Sequence, residues 1–509
     1  MADRAPIDHD QPRARFRWSV VSIAWTIFVI LLVTVIAAVI TRSILMDRYQ
    51  AELAQVRAEI KAAGLPTTIE EIIPKPVPEA EDAAPLWYQV FGIMTAGTFS
   101  TAKRARITTA KSIEAMLEDS NEPAEKANKR TRKDLPSPED AALFLARQDA
   151  VPELWSLAAE ASRRPYCRFH RDWTTGAYVH MPETSQVTML GKLLIWRARC
   201  QFALNQDESA MQTLVILPGA ARHFRNEPQL ISSLIGRALD GRVRGELQRI
   251  LEIRLVRIPN DIHESVLSLA DDRGSRLLAC DGERIILGDW AFEQIESDKV
   301  KLSGIVKMSD FLGGGSVEHW WNEAVWWVRD SWFGKPLIYH DHAAFLRLMM
   351  QYRKTIQESG SRSGENPGLQ SGSTVSTSGP HLCCGNAVSP MCITPVTSTL
   401  SSGWISVMRL DQKETLLNTQ CRFSLALAAV AHREGQFPTD PQAIGILIPP
   451  GLTYIRDGDR AIIGFDADMA KQCNIPPMSL IPETDKSKES TRKRFLWYLA
   501  APNQGKSSP

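Results

Sequence analysis

The chain has 509 residues, 44% hydrophobic and 23% charged, with Lys+Arg 59 against Asp+Glu 58. That ordinary globular mixture excludes wholesale disorder, a collagen-like fibre and a polytopic membrane protein. A net charge of +1 gives no global electrostatic case for nucleic acid.

Residues 1–17 read as a short cytoplasmic tail in which Arg13, Arg15 and Arg17 crowd together. From Trp18 to Thr41 no residue is charged, and most are Val, Ile, Leu, Ala or Phe. As a helix, residues 18–41 span about 36 Å, enough for a hydrocarbon core of about 30 Å. A cleaved signal peptide has an apolar core of only about 7–15 residues. The run is therefore read as an uncleaved transmembrane anchor. The denser basic flank precedes it, so the N-terminus is expected inside and the bulk extracytoplasmic (periplasmic).

Residues 42–85 form a predicted helical stalk and spacer. Met46, Tyr49, Leu53, Val56, Ile60 and Ala63 step by three and four. Such a seam packs either on the chain's own domain or on a second copy, which would make a homodimer through the stalk. Gly64-Leu65-Pro66 ends the helix, and Thr68 to Glu71 has the pattern of a capping box. Pro74, Pro76 and Pro78 then suggest a semi-rigid spacer that keeps the next domain off the bilayer.

Residues 86–358 read as an α-helical ectodomain. Leu86 to Met94 is an apolar helix, and the basic group Lys126, Lys129, Arg130, Arg132 and Lys133 reads as a solvated loop. Pro165 to Gly176 is a loop whose aromatics, Tyr166, Phe169 and Trp173, either line a pocket or plug a helix joint. Val187, Leu190, Leu194 and Phe202 mark one helix face; Ala210, Leu214, Leu217, Ala221 and Phe224 mark the next. Asn205-Gln206-Asp207 and Asn226-Glu227-Pro228 break the helices, with Pro228 placed in the first turn of the third. This is the grammar of helical hairpins, TPR-like but degenerate, without a fixed repeat period.

Trp320, Trp321, Trp326, Trp327 and Trp332 crowd one short stretch. Clustered indoles serve a partner hot spot, a ligand platform or a membrane interface, or else fill a bulky core joint. These five are the candidate partner-binding residues. Residues 359–403, rich in Ser, Gly and Thr, read as a linker or loop. Residues 404–509 form a predicted small α+β unit. Leu416, Phe423, Leu427 and Val430 mark its helix, Gly435 stops it, and Asp457-Gly458-Asp459 turns a hairpin.

No phosphate-binding loop, dinucleotide fingerprint, zinc-protease helix or nucleophile elbow occurs in the chain. His340-Asp341-His342 falls at a predicted helix start, where Asp341 is read as a cap. Cys383, Cys384 and Cys392 lack zinc spacing, although outside the cytoplasm they could form one local disulfide. No catalytic residue, cofactor or metal is assigned.

Three stretches carry a resemblance. They are Gly64-Leu65-Pro66-Thr67-Thr68-Ile69-Glu70-Glu71-Ile72, the acidic Pro spacer into Asp82-Ala83-Ala84-Pro85-Leu86, and Asn226-Glu227-Pro228-Gln229-Leu230-Ile231. On these, residues 18 to 355 resemble a family of uncharacterised, signal-anchored helical proteins of planctomycete-type bacteria, which implies no activity. Arg433-Glu434-Gly435-Gln436-Phe437-Pro438 makes the C-terminal unit look like the globular region of type II secretion pseudopilins. It lacks their processing signature, since residues 3–17 contain no Gly-Phe-Thr-Leu-x-Glu.

The expectation is a mainly α protein with one transmembrane helix, acting as an extracytoplasmic binding or scaffolding module. Its partners are the lipid bilayer through residues 18–41 and an unknown protein or envelope component, with no nucleic acid. The alternatives are an envelope-associated hydrolase whose site is not visible in the sequence and a pseudopilin-like assembly component.

Overall fold

The computed structural model describes residues 20–99, 135–257, 273–301, 330–332, 334–361, 416–449, 451–465 and 497–499. Helices dominate. The first, α1 (Val20–Ala62), is the longest, and 43 residues at about 1.5 Å each carry it roughly 65 Å. It ends where Gly64 takes a φ of 66°, a left-handed stop that an L side chain resists. The capping box follows: Thr68 caps α2 (Ile69–Ile72) while Glu71 accepts from the Thr67 and Thr68 N–H groups.

The body is built from α3 (Ala84–Phe99), α4 (Pro138–Asp149), α5 (Pro152–Arg163), α6 (Glu183–Ala203), α7 (Asp207–Arg225) and α8 (Leu230–Ile253). Short turns force α6, α7 and α8 into antiparallel neighbours. Asn205, at φ 58°, makes the first turn. The predicted faces of α6 and α7 are buried at every named position. Pro228 lies ahead of α8 rather than in its first turn, because Gln229 is the cap residue and the helix begins at Leu230. Charged side chains also join these helices: Arg199 of α6 grips Glu246 of α8 at 2.8–3.0 Å, and Arg225 of α7 pairs with Asp240 of α8.

A second layer holds α9 (Arg273–Gly282), a π-helical stretch (Glu283–Asp289), α10 (Trp290–Glu296) and α11 (Lys335–Ser361). Leu53, Val56 and Ile60 of α1 are buried in one apolar cluster with Phe292, Phe345, Leu346, Met349 and Tyr352. The stalk seam is therefore occupied by the chain's own α11. Gly288 in the π-helical stretch lets the backbone meet Phe345, where a Cβ would overlap the ring.

The C-terminal unit has a helix over residues 416–434, named α12, and a three-stranded sheet in the order β1-β2-β3. The antiparallel pair β1 (Leu452–Asp457) and β2 (Arg460–Phe465) closes on a two-residue turn with Gly458 at φ 60°. Then β3 (Trp497–Leu499) pairs with β2. Cys421, Phe423, Leu427, Ile463, Phe465 and Leu499 belong to the same apolar core as Leu194, Phe202, Leu217 and Leu247. The sheet and its helix are thus packed on the helical body. Arg244 of α8 seals that joint by donating to Asn418.

The spacer is not a free-standing segment. Its end is stapled to the body: Ala83 N–H donates to Tyr166 O at 2.8 Å, and Arg164 donates to Glu79 O and Asp82 O. The Asp82 carboxylate accepts from the N–H groups of Ala84 and Arg168, each at 2.9 Å. A Pro-rich extended segment lacks internal hydrogen bonds, so neighbouring backbone and arginine take up its polar groups.

Candidate functional site

The joint between α1 and α11 is the place where the apolar run meets the folded domain. Just past that run, the Arg42 guanidinium lies 3.7 Å from the centre of the Trp332 ring. Its Nε also donates to Trp332 O at 2.9 Å. About two turns further, the Tyr49 and His340 rings meet at 4.8 Å. Glu52 accepts from Arg347 and lies 3.2 Å from His340 Nδ1. Burial raises the Glu52 pKa, but hydrogen bonds from Arg347 and His340 outweigh it and leave it below the ordinary carboxylate value.

Of the five tryptophans singled out in the sequence, Trp320, Trp321, Trp326 and Trp327 lie outside the described residues. Trp332 is 51% exposed, so it is not the plug of a core joint. Cys383, Cys384, Cys392 and the basic group at 126–133 also lie outside the described residues.

His340-Asp341-His342 does not begin a helix, because α11 starts at Lys335. Asp341 and His342 are buried, which corrects the reading of Asp341 as a cap. His342 Nδ1 is 3.0 Å from Glu296 and Nε2 is 2.8 Å from Asp289. A carboxylate only accepts hydrogen bonds, so both ring nitrogens donate and the ring is an imidazolium. Burial lowers the His342 pKa, yet the hydrogen bonds it donates to Asp289 and Glu296 outweigh that and raise the pKa overall. Phe292 stacks on this ring at 4.3 Å. The arrangement ties α10 to α11 and offers no free lone pair for base chemistry.

A second charged centre escapes sequence reasoning. Arg171, from the loop after α5, donates Nε to Glu227 at 2.7 Å and Nη1 to Glu183 at 3.0 Å. These side chains are 0–4% exposed. Ser232 also donates to Glu227. Burial raises the Glu227 pKa above its ordinary value in spite of Arg171 and Ser232. Two carboxylates on one guanidinium leave the centre one negative charge in excess. Nearby Cys167 is held as a thiol, first by burial and then by Glu227 and Asp82. His223 is a third closed group: Trp87 Nε1 donates to its Nδ1 at 3.0 Å, its Nε2 donates to Arg164 O at 2.8 Å, and burial lowers its pKa to about 4.

Glu283 opens the π-helical stretch and accepts the Leu230 N–H at 2.9 Å, so it caps α8 from another element. Burial pushes its pKa up to about 7. Glu227 had been legible as a helix breaker, but nothing local marks it or Glu283 as a buried acceptor. Among the described residues, no group of three or more His, Cys, Asp or Glu side chains is arranged to hold a metal ion. No family model, curated protein or solved structure matches this chain.

Proposed function

We propose that this chain is a single-pass membrane protein that holds a helical binding or scaffolding domain outside the cytoplasm. The supporting observation is the division of α1. It is long and apolar enough to cross a membrane, and its apolar side chains from Ile23 to Ile40 are exposed. Thirteen of the large ones, from Ile23, Trp25, Ile27 and Phe28 to Val39 and Ile40, are more than 40% exposed. In water such a surface is unfavourable by about 25 cal/mol per Å2, whereas in lipid it is at home. The same helix continues without a break into the core of the domain. Arg13, Arg15 and Arg17 on the N-terminal flank favour a cytoplasmic N-terminus.

The binding role follows from what the site contains. His342, Arg171 and His223 are each closed by protein partners. An enclosed ion pair organises structure and presents nothing to a substrate. The Trp332 face, by contrast, is open and sits at the anchor.

The test is protease accessibility in intact and permeabilised cells. The domain is expected to be digested once the outer barrier is opened, with the inner membrane intact. Digestion only after inner-membrane lysis would place the domain in the cytosol and overturn the topology.

A further inference from the structure

We propose that the Trp332 face is seated in the headgroup layer of the leaflet from which α1 emerges, where it engages anionic lipid phosphates. This rests on α1 spanning the bilayer and names the surface that the domain meets there.

Three observations carry it. Arg42 immediately follows Thr41, the last residue of the uncharged run, so its backbone lies at the edge of the hydrocarbon. Its guanidinium is stacked on Trp332, which fixes that indole at the same depth. Half-exposed indoles favour this depth, where the ring is partly in hydrocarbon and the N–H reaches water or phosphate.

The third observation is charge. Lys335 lies three residues after Trp332, and its Nζ reaches Asp298 at 2.9 Å, bringing the 297–301 turn to this face. That turn carries the exposed residues Lys299 and Lys301. Arg42 lies on the indole, and Lys335, Lys299 and Lys301 belong to the two segments that the Lys335–Asp298 pair joins beside it, against Asp298 and Asp330, with Asp47 further along α1. The surplus is positive, and basic residues at an anionic surface contribute about 1 kcal/mol each.

The experiment uses the full-length chain with benzoylphenylalanine at position 332. The comparison places it at position 143, where Leu143 of α4 is similarly exposed at 54%. Both proteins are reconstituted into vesicles of phosphatidylcholine alone or mixed with phosphatidylglycerol, then irradiated. Alkaline extraction of the same vesicles reports insertion of α1 separately. The proposal expects lipid adducts at 332 several-fold above those at 143, increased further by phosphatidylglycerol. It also expects that increase to be lost in a K299Q/K301Q/K335Q variant. Equal adducts at 332 and 143 in protein that resists extraction would overturn the seat while leaving the anchor standing. Adducts at 332 to a second copy of the chain in place of lipid would overturn it as well. Protein that fails to resist extraction would overturn the membrane reading and the seat together.

Discussion

The two halves of α1 are one helix with two different surfaces. Up to Ile40 its large apolar side chains are exposed. Beyond Arg42, only Leu53, Val56 and Ile60 turn inward, and each is at most 4% exposed. The first half is apolar all round, the mark of a lipid-facing helix, whereas the second has one apolar stripe, the mark of a helix on a protein core. The difference teaches that the apolar half is built into the domain without a hinge: the helix is unbroken and its second half is packed on α11. On the proposed reading, that would fix the height of the domain above the bilayer.

The largest expected effect breaks the first half alone. Leu31→Arg with Val33→Arg places two charges in the middle of the run, each unfavourable by about 2.5–3.5 kcal/mol for insertion. Membrane flotation should show the protein leaving the membrane fraction while the domain's circular dichroism is preserved.

The converse change acts on the domain and spares the anchor. Arg171→Ala leaves two buried carboxylates without their cation, and removing one partner of such a set typically destabilises by about 3–5 kcal/mol. Thermal unfolding in detergent should shift down strongly, with membrane retention unchanged. Leu53→Ala tests the join between the halves. A large-to-small change at a buried leucine is expected to cost about 2–5 kcal/mol. Limited proteolysis should then cut at the end of α1, near residues 60–66, before it cuts the α6–α8 body.

pH should separate the halves without mutation. A carboxyl raised in the folded state from 4.5 to about 7 binds its proton more tightly than in the unfolded chain. Its stabilising contribution is therefore full below about 4.5 and lost as pH rises through about 7, a change of order 3 kcal/mol. The raised His342 has the same sign: its contribution is present below its ordinary value of 6.5 and lost above its folded value. Denaturant titrations across this window should show a slope that Glu283→Gln reduces, since the amide keeps an oxygen for the Leu230 N–H. The smallest effect is expected at Glu52→Gln. Its partner Arg347 is 43% exposed, and exposed pairs contribute about 0.2–1 kcal/mol.

Much of the helical architecture was legible because periodicity is local. The uncharged run, the seam at Leu53, Val56 and Ile60, the faces of α6 and α7, and the Thr68 capping box are all written within a few turns. The β1–β2 hairpin is likewise announced by its Asp-Gly-Asp turn. What escaped is written across distance. Arg171 and Glu227 are 56 residues apart, and His342 and Asp289 are 53. In a chain with 58 acidic residues no local pattern marks which of them is buried. The attachment of the Pro spacer to the body escaped for a similar reason, since the groups that staple it, Arg164 and Tyr166, come from another part of the chain. The helix start at His340 was misplaced because Pro336, which belongs in a first helical turn, was read as part of the preceding loop. Trp332 was visible as part of a cluster, but only its contact with Arg42 shows where that indole sits.

The central claim, that α1 stays in the bilayer as part of the mature chain, is tested most directly by alkaline carbonate extraction followed by mass spectrometry of the pellet. The account predicts an intact chain in the pellet, with peptides covering residues 18–41. A soluble protein beginning after those residues would contradict it.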